Sequence, residues 1–187
     1  MKELNPEWFK MLWKTKKAAE NIEPILLEIV KEYRSKTWKK KDKVTRKDIA
    51  DRVFSEYDRL YYADDYGYVT CITSGVRLFW KDSQCWHFVS RWVLKWRYDI
   101  TNCHPQSYAE NVILSGNYKV YTLQMIKMYG IEYVEYMVND KELWKYTQKD
   151  YEDMVIERYK FIVDKKKIIK LNQEINTRPV NNWTTKE

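Results

Sequence analysis

The chain has 187 residues, of which 44% are apolar and 16% aromatic, and its formal net charge is +7. This apolar content excludes a disordered chain, and 4 glycines and 4 prolines are too few for the many tight turns of a β-sandwich. We therefore expect mostly helices, and no apolar run is long enough to span a bilayer. The first residues lack the apolar centre of a signal peptide and the 3 cysteines are an odd number, so we expect a cytoplasmic protein with reduced thiols.

The first predicted helix begins at Asn5-Pro6-Glu7, an N-cap residue followed by a first-turn proline and an acidic residue. Pro24 is expected to kink or restart this helix. The segment Arg34–Lys47 then carries eight Lys and Arg residues and one Asp, so it holds the whole net charge. Such a block is typical of phosphate contact, although a solvated linker between helices is an alternative. The side chains predicted to contact nucleic acid here are Lys39, Lys40, Lys41, Lys43, Arg46 and Lys47.

A second helix is predicted to begin at Thr45, which can form a capping box with Asp48. The apolar face of this helix consists of Ile49, Val53, Tyr57 and Leu60. The pattern then changes in the stretch YGYVTCITSGVRLFW, which begins at Tyr66 and is rich in β-branched and aromatic residues around a Ser-Gly pair. This pattern predicts a β-hairpin.

Further elements are predicted from residue 84 onward. Residues 84–90 indicate a strand, residues 107–114 a short helix that ends before Gly116, and residues 118–129 a helix stopped by Gly130, with another helix after it. A long final helix has apolar residues at sevenfold spacing, which we expect to pack on the body of the protein; a partner helix or a dimer is the alternative. This stripe consists of Met154, Phe161, Ile168 and Ile175, flanked by Val155, Ile162 and Ile169. The last residues are expected to be loose.

These elements predict an α+β fold that is mostly helical. Residues 1–64 are expected to form N-terminal helices with the basic linker 34–47, and residues 65–139 a small β-rich centre with a short helix. Residues 140–187 are expected to form the amphipathic C-terminal helix and its tail. Both histidines lie in the centre, so any catalytic chemistry is expected there.

The polar residues of the centre suit phosphodiester hydrolysis. A histidine near neutral pKa can take a proton from water, and Asn or His side chains can hold a divalent metal beside a phosphate. Arginine side chains can bind that phosphate. The alternative is that both histidines are core residues with satisfied hydrogen bonds. The candidates are His87, Arg91, Arg97, Asn102, His104, Gln106 and Asn111.

Between about Val53 and Tyr136 the chain reads, in order, VFSEYDRLYYADDYGYVTC, HFVSR, RYDITNCHPQ, SGNY and MIKMYG. This ordered set resembles the phage recombination endonuclease family NinG, also called Rap, which belongs to the HNH or ββα-metal nucleases. The resemblance implies a central ββα-metal unit and a one-metal, structure-specific cleavage of branched DNA. It also implies a phage-encoded protein acting in the cytoplasm of a bacterial host.

The resemblance further implies roles for individual residues. His87 would be the general base that activates water, and Asn102 would tie the loop that orients it. Asn111 would face the catalytic metal, Mg²⁺ or Mn²⁺, and His104 matches a second polar position that could also reach it. The residues implied to contact phosphate or DNA are Gln106, Arg91 and Arg97.

The family's usual structural zinc site is altered in this sequence. Its four cysteine positions hold Cys71, Ser74, Ser107 and Glu110, and serine is a poor zinc ligand. We therefore expect no structural zinc there, with packing by Trp80, Trp86, Trp92 and Trp96 in its place. Cys85, Cys103 and Glu110 could form an altered site, although their spacing gives no positive support.

Two other positions depart from the family pattern. Trp86 stands where members usually have glycine, and many HNH enzymes have a metal-binding Asp. Because neighbouring residues of a strand face opposite sides, Trp86 could point into the core while His87 faces the site. Asp58 replaces a residue that is usually apolar.

Three functions are therefore considered. The first is a metal-dependent DNA endonuclease. The second is an HNH-like scaffold that binds nucleic acid or a nucleoprotein without cutting, for example as a phage inhibitor of a host defence nuclease. The third is an interaction protein that works through the C-terminal helix, as a dimer or with a protein partner.

Overall fold

The computed structural model describes residues 28–29, 31–32 and 45–177. The helix predicted from Asn5, the kink at Pro24, the loose C-terminal end and the lysines Lys39, Lys40, Lys41 and Lys43 lie outside these residues. The helices are α1 (Arg46–Tyr61), α2 (Leu94–Arg97), α3 (Tyr118–Tyr129), α4 (Ile131–Asn139) and α5 (Gln148–Thr177). The strands are β1 (Tyr68–Thr70), β2 (Arg77–Phe79), β3 (Gln84–His87) and β4 (Cys103–Gln106). Short helical turns span Trp80–Asp82, Ile100–Asn102 and, with π-type hydrogen bonds, Ala109–Ile113.

The α+β, mostly helical fold class is confirmed. The strands form two antiparallel two-stranded sheets, β1–β2 and β3–β4, and the long helix α5 follows them. Among the described helices, none combines the length and apolar character needed to cross a bilayer.

The predicted capping box begins α1. The backbone N–H of Asp48 donates to the Thr45 hydroxyl at 3.2 Å, and the Thr45 N–H donates to the Asp48 carboxylate at 2.9 Å. A cap of this kind stabilises a helix by about 1 kcal/mol, so it fixes where α1 starts. From that start Ile49, Val53 and Leu60 are buried on the predicted face.

The predicted hairpin is also present. In β1–β2, Tyr68 pairs with Phe79 and Thr70 with Arg77. The turn contains Gly75 at φ +71°, a conformation that glycine adopts without the strain that other residues would carry.

The second sheet differs from the sequence prediction. The strand predicted at residues 84–90 ends at His87, and residues 103–106, for which no strand was predicted, make strand β4. Pro105 lies opposite Cys85 in a sheet of only two strands, where the missing N–H of proline is tolerated. Its carbonyl accepts a 3.0 Å hydrogen bond from Ile72, which joins the two sheets.

Two apolar clusters enclose the β3–β4 hairpin. One forms where α1 packs on α5, and the other is built largely by α3 and α4. The first includes Val53, Phe54, Leu60, Val155 and Ile162, whereas the second includes Phe88, Trp96, Tyr121, Met125 and Met137. Each face of the hairpin therefore has its own apolar partner, which fixes the direction of every side chain on it.

Helix α5 packs on the body of the protein, as expected for the C-terminal stripe. The buried positions are Val155, Ile162 and Ile169, whereas Ile168 and Ile175 are 44% and 51% exposed. A salt bridge of 2.6 Å from Lys166 to Glu56 adds a polar link between α5 and α1. The stripe that faces the core therefore consists of Val155, Ile162 and Ile169. These residues were predicted only to flank the sevenfold series that begins at Met154.

Candidate functional site

A cleft of about 690 Å³ opens beside the end of β3. It lies between α1, the loop after β3 and the short helix 109–113. Its lining includes His87, Arg91, Asn111 and Trp92, together with Asp51, Phe54 and Ser55 from α1. Strand, loop and helix thus bring three of the predicted site residues, His87, Arg91 and Asn111, to one cavity.

His87 ends β3 and is held in one orientation. Its Nε2 lies 2.9 Å from the carbonyl oxygen of Arg97, and its ring packs 6.0 Å from that of Phe54. Because a carbonyl only accepts hydrogen bonds, Nε2 must carry the proton and Nδ1 of the neutral ring keeps its lone pair. Desolvation by burial lowers the pKa of His87 from its ordinary value, so the ring is neutral at pH 7.

Asn102 ties the loop between β3 and β4. Its Nδ2 donates to the carbonyl oxygens of Val89 and Trp96, both at 2.9 Å, and its Oδ1 accepts from the Val89 N–H at 2.6 Å. The residue is fully buried. One amide group thus satisfies three backbone groups of residues 89–96, and the carbonyl that orients His87 follows directly after them.

Asn111 faces the cleft from the helix that follows β4. Its Nδ2 donates to Oε1 of Gln84 at 2.5 Å, which anchors the side chain to the start of β3. No described residue donates a hydrogen bond to its Oδ1, so that oxygen can serve as a ligand for a metal or water in the cleft.

The two arginines have different surroundings. Arg91 is exposed on the cleft, and within the described part of the chain its side chain makes no salt bridge. Arg97 is buried: its Nε and Nη2 donate to Asp51 at 2.8 and 2.6 Å, and its Nη1 donates to the carbonyl of Arg91. Asp51 and the Arg91 carbonyl thus occupy the guanidinium of Arg97, so this group stabilises the fold in place of the predicted phosphate contact.

His104 and Gln106 lie on the far face of the hairpin, outside the cleft lining. His104 is buried with Nε2 3.2 Å from the Tyr129 hydroxyl. Gln106 is buried and its Nε2 donates to the carbonyl of Gly116 at 2.9 Å. In this sheet His87 pairs with Cys103, so His104 and Gln106 point to the opposite face from His87. The geometry therefore gives His104 and Gln106 structural positions rather than the implied metal and phosphate contacts.

His104 is expected to make the protein less stable in acid. Burial lowers its pKa to about 4, whereas the unfolded chain takes up the proton near pH 6.5. The stabilising effect of a neutral His104 is therefore complete above pH 6.5 and is lost as the pH falls towards 4. The loss is about 3 kcal/mol of unfolding free energy. Urea unfolding of wild type and His104→Gln in chelator, at pH 7.5 and pH 4.5, measures it as the difference between the two proteins, and equal pH dependence in both would contradict it.

Trp86 points away from His87. It pairs with His104 across the sheet and packs with the α3–α4 cluster, whereas Cys85 packs with the α1–α5 cluster. The indole lies on Gly116, where an added Cβ would come within 2.6 Å of Nε1. Gly116 also has φ +85°, so both its backbone and its missing side chain are needed here.

Of the four residues at the family's zinc-cysteine positions, Cys71, Ser74 and Ser107 lie close together, whereas the carboxylate of Glu110 binds another residue. The Cys71 thiol accepts from the Ser107 N–H at 3.3 Å and interacts with Ser74 and Thr73. Burial raises the pKa of this thiol, but these hydrogen bonds outweigh it, and the pKa is lowered overall. Glu110 is engaged elsewhere, because its carboxylate accepts from Asn117 at 2.8 Å.

A second group of ligand-type side chains lies at the base of the cleft. The structure brings Cys85 and Cys103 together with His87, and the buried carboxyl group of Asp58 lies beside Cys85. Sequence reasoning named the two cysteines without placing them and treated Asp58 only as a departure. Asp51 was missed altogether, because α1 is far from the centre in sequence.

Two basic residues of the predicted phosphate-binding block are described. Lys47 lies 5.6 Å from the ring centre of Trp92, which is 78% exposed at the cleft. Arg46 is half-buried and interacts with Glu152, and desolvation lowers its pKa. The structure thus places Lys47, but not Arg46, toward the cleft opening.

The chain matches the family model described as "Bacteriophage Lambda NinG protein" over residues 12–170. A search of the curated proteins and a search of the solved structures each give no significant match.

Proposed function

The chain belongs to the family of the bacteriophage lambda NinG protein, and from this premise we propose that it is a metal-dependent endonuclease that cuts branched DNA in phage recombination. The observation that carries the proposal is the shared cleft of His87 and Asn111. A strand, a tied loop and a short helix supply them, which is the arrangement that one-metal phosphodiester hydrolysis needs.

In this proposal His87 is the general base. Its Nε2–H is held by the Arg97 carbonyl, so Nδ1 is the atom that accepts a proton from the attacking water. The lowered pKa of His87 keeps Nδ1 unprotonated at neutral pH. Asn102 acts on the reaction indirectly, because it fixes the loop that carries the Arg97 carbonyl.

The metal would be Mg²⁺ or Mn²⁺, and the donor set fits a weakly held hard cation. Asn111 Oδ1 is an oxygen ligand, while the carboxylate of Asp51 in the same cleft is already bound to Arg97. Mg²⁺ commonly keeps several waters and takes further oxygens from substrate phosphates. When bound, it supplies positive charge to the scissile phosphate. We therefore expect firm metal binding only in the presence of DNA.

The remaining contacts to DNA come from the rim of the cleft. Arg91 can bind a phosphate oxygen, and Lys47 adds a second cation beside Trp92. A neighbouring cleft of about 520 Å³ shares Asn111 and is bordered by the exposed Lys81. Phosphate contacts of this kind position DNA without reading its sequence, which suits recognition of a DNA shape.

Trp92→Ala is expected to weaken binding of branched DNA about tenfold. Stacking of an unpaired base on an aromatic ring contributes about 1–3 kcal/mol, and Trp92 is exposed beside a cation at the cleft. Fluorescence anisotropy with a labelled four-way junction in chelator measures the dissociation constant. Trp144→Ala is the control, because Trp144 is 43% exposed but outside the cleft. Equal affinities of the two variants would argue against stacking at Trp92.

The proposed function is tested by incubating the protein with a labelled four-way junction and a linear duplex of the same sequence. We expect cleavage with Mg²⁺ or Mn²⁺, none in chelator, and faster cutting of the junction. Binding of both DNAs without cleavage at any metal concentration would overturn the enzyme and favour a non-cutting DNA-binding scaffold. Absence of both binding and cleavage would favour the third function, an interaction protein. Measurement of the mass in solution would then show whether the chain forms a dimer through α5.

A further inference from the structure

The base of the cleft holds a cluster of soft metal ligands. The two thiols of Cys85 and Cys103 and an imidazole nitrogen of His87 all lie within 4.8 Å of one another. The register of β3–β4 explains the cluster: His87 lies opposite Cys103, and Cys85 is two residues earlier on the same face. Cys103 is fully buried, while Cys85 and His87 are half-buried and line the cleft.

The carboxyl group of Asp58 is an independent sign of a missing ligand. Asp58 is 0% exposed, and neither of its oxygens has a hydrogen bond of good geometry to the described residues. Burial raises the pKa of this group to about 7, and the neighbouring Cys85 thiol and Arg59 lower it only in part. A buried carboxyl whose neighbouring donor is a thiol, a weak hydrogen-bond donor, is costly, and such groups are usually paired or coordinate a metal.

We propose that Cys85, Cys103, His87 and Asp58 form a binding site for a thiophilic divalent cation such as zinc. Two thiolates, an imidazole and a carboxylate are ligand types that zinc accepts in tetrahedral sites. Zinc–ligand bonds of about 2.0–2.3 Å place the ligand atoms roughly 3.3–3.8 Å apart. The ligand atoms of Cys85, Cys103 and His87 already lie within 4.8 Å of one another, so movements of about 1 Å would bring these three to that spacing. Asp58 lies beside Cys85 and would supply the fourth ligand.

The charges around the cluster also suit a bound metal. The hydrogen bond with Cys103, together with burial, raises the pKa of the Cys85 thiol. Burial raises the pKa of Cys103 to about 11, although the hydrogen bond with Cys85 lowers it in part. Both thiols are therefore protonated before a metal binds and release their protons when it does. Two thiolates and a carboxylate around Zn²⁺ leave one negative charge. Arg158 is half-buried near Cys103 and makes no salt bridge within the described residues, so its positive charge can balance that excess.

This site is separate from the four positions Cys71, Ser74, Ser107 and Glu110. Cys71 is held by Thr73 and the Ser107 N–H, and the grouped thiols do not include it. Cys71 is therefore a matched control: it is a buried cysteine of the same small domain with no role in the proposed site.

The site has one consequence for the proposed nuclease, and this consequence alone rests on that function. A metal bound to His87 takes the lone pair that base catalysis needs, so zinc is expected to inhibit cleavage in a way that magnesium does not reverse. The metal site itself is tested without DNA, which keeps its outcome distinct from that of the nuclease.

The test is a titration of the full chain with cobalt(II), a spectroscopic substitute for zinc, under a non-thiol reductant that keeps the cysteines free. We expect one equivalent to produce intense thiolate-to-cobalt absorption that one equivalent of zinc removes. Cys85→Ser and Cys103→Ser should each lose at least half of this intensity. Asp58→Asn should keep it with at least tenfold weaker affinity, and Cys71→Ser should match wild type.

Either of two results would overturn the site. One is the absence of thiolate-to-cobalt absorption in the reduced wild type, with the half-buried Cys85 thiol reacting as fast after zinc is added as before. The other is an equal loss in Cys71→Ser and Cys85→Ser. Because Cys103→Ser changes a fully buried residue, the fold of each variant is checked by circular dichroism. If Cys103→Ser does not fold, the result for Cys85→Ser, which changes a half-buried residue, decides the test.

Discussion

His87→Ala is expected to lower the rate of DNA cleavage by about 10²–10⁴-fold, the usual contribution of a general base. The imidazole is the one histidine on the described cleft lining, and it is oriented by a backbone carbonyl and neutral at pH 7. DNA affinity should stay within about twofold of wild type, because phosphate contact falls to Arg91 and Lys47. Single-turnover cleavage of a four-way junction at saturating protein measures the rate apart from binding.

His104→Gln is the matched control for this prediction. It replaces the other histidine of the chain, which is buried on the far face of the same hairpin. Its cleavage rate should stay within about threefold of wild type at pH 7.5, where His104 is already neutral. If His104→Gln lost as much activity as His87→Ala, both histidines would be acting through the fold, and the assignment of the base would fail.

Asn102→Ala is expected to lower the unfolding free energy by about 2–4 kcal/mol and cleavage by at least about tenfold. The change leaves buried backbone groups of Val89 and Trp96 without the partners that Asn102 supplies, and each unsatisfied group costs about 1–3 kcal/mol. The loop that carries the Arg97 carbonyl then loses its tie, so His87 loses its fixed orientation. Urea unfolding gives the first quantity and single-turnover cleavage the second.

Asn139→Ala provides the comparison for Asn102→Ala. Asn139 is exposed at the end of α4, where a substitution usually changes stability by less than about 0.5 kcal/mol. A full-rate Asn102→Ala protein would contradict the role of the loop in orienting His87, even if its stability were reduced.

Elements with local signals could be predicted from the sequence. The capping box of Thr45 and Asp48 and the stop at Gly130 depend on neighbouring residues, and both are present. Strand β4 could not be predicted, because Pro105 and its polar neighbours lack an alternating pattern and pair only after β3 is in place. The sequence of α5 contains two adjacent apolar series at sevenfold spacing, and it does not indicate which of them faces the core. The packing of α5 on α1 buries Ile162 more completely than Phe161.

In the candidate site, too, residues close in sequence could be predicted, whereas contacts made by tertiary packing could not. His87, Asn102 and Asn111 lie within one short stretch, so their order alone suggested one unit. The contributions of α1 could not be predicted, since Asp51 and Asp58 reach the site through tertiary packing. The pairing with Asp51 is also what engages Arg97, so the phosphate contact expected for that arginine depended on a neighbour that the sequence did not reveal.

Metal-dependent cleavage in this cleft is tested by adding Mg²⁺ to a preformed complex of the protein with DNA. Wild type and His87→Ala would each be bound to a labelled four-way junction in chelator, and excess Mg²⁺ would start the reaction. We expect wild type to cut the bound junction and His87→Ala to hold it intact. If both complexes form and neither DNA is cut, or if both are cut at the same rate, His87 is not the base of a metal-dependent nuclease.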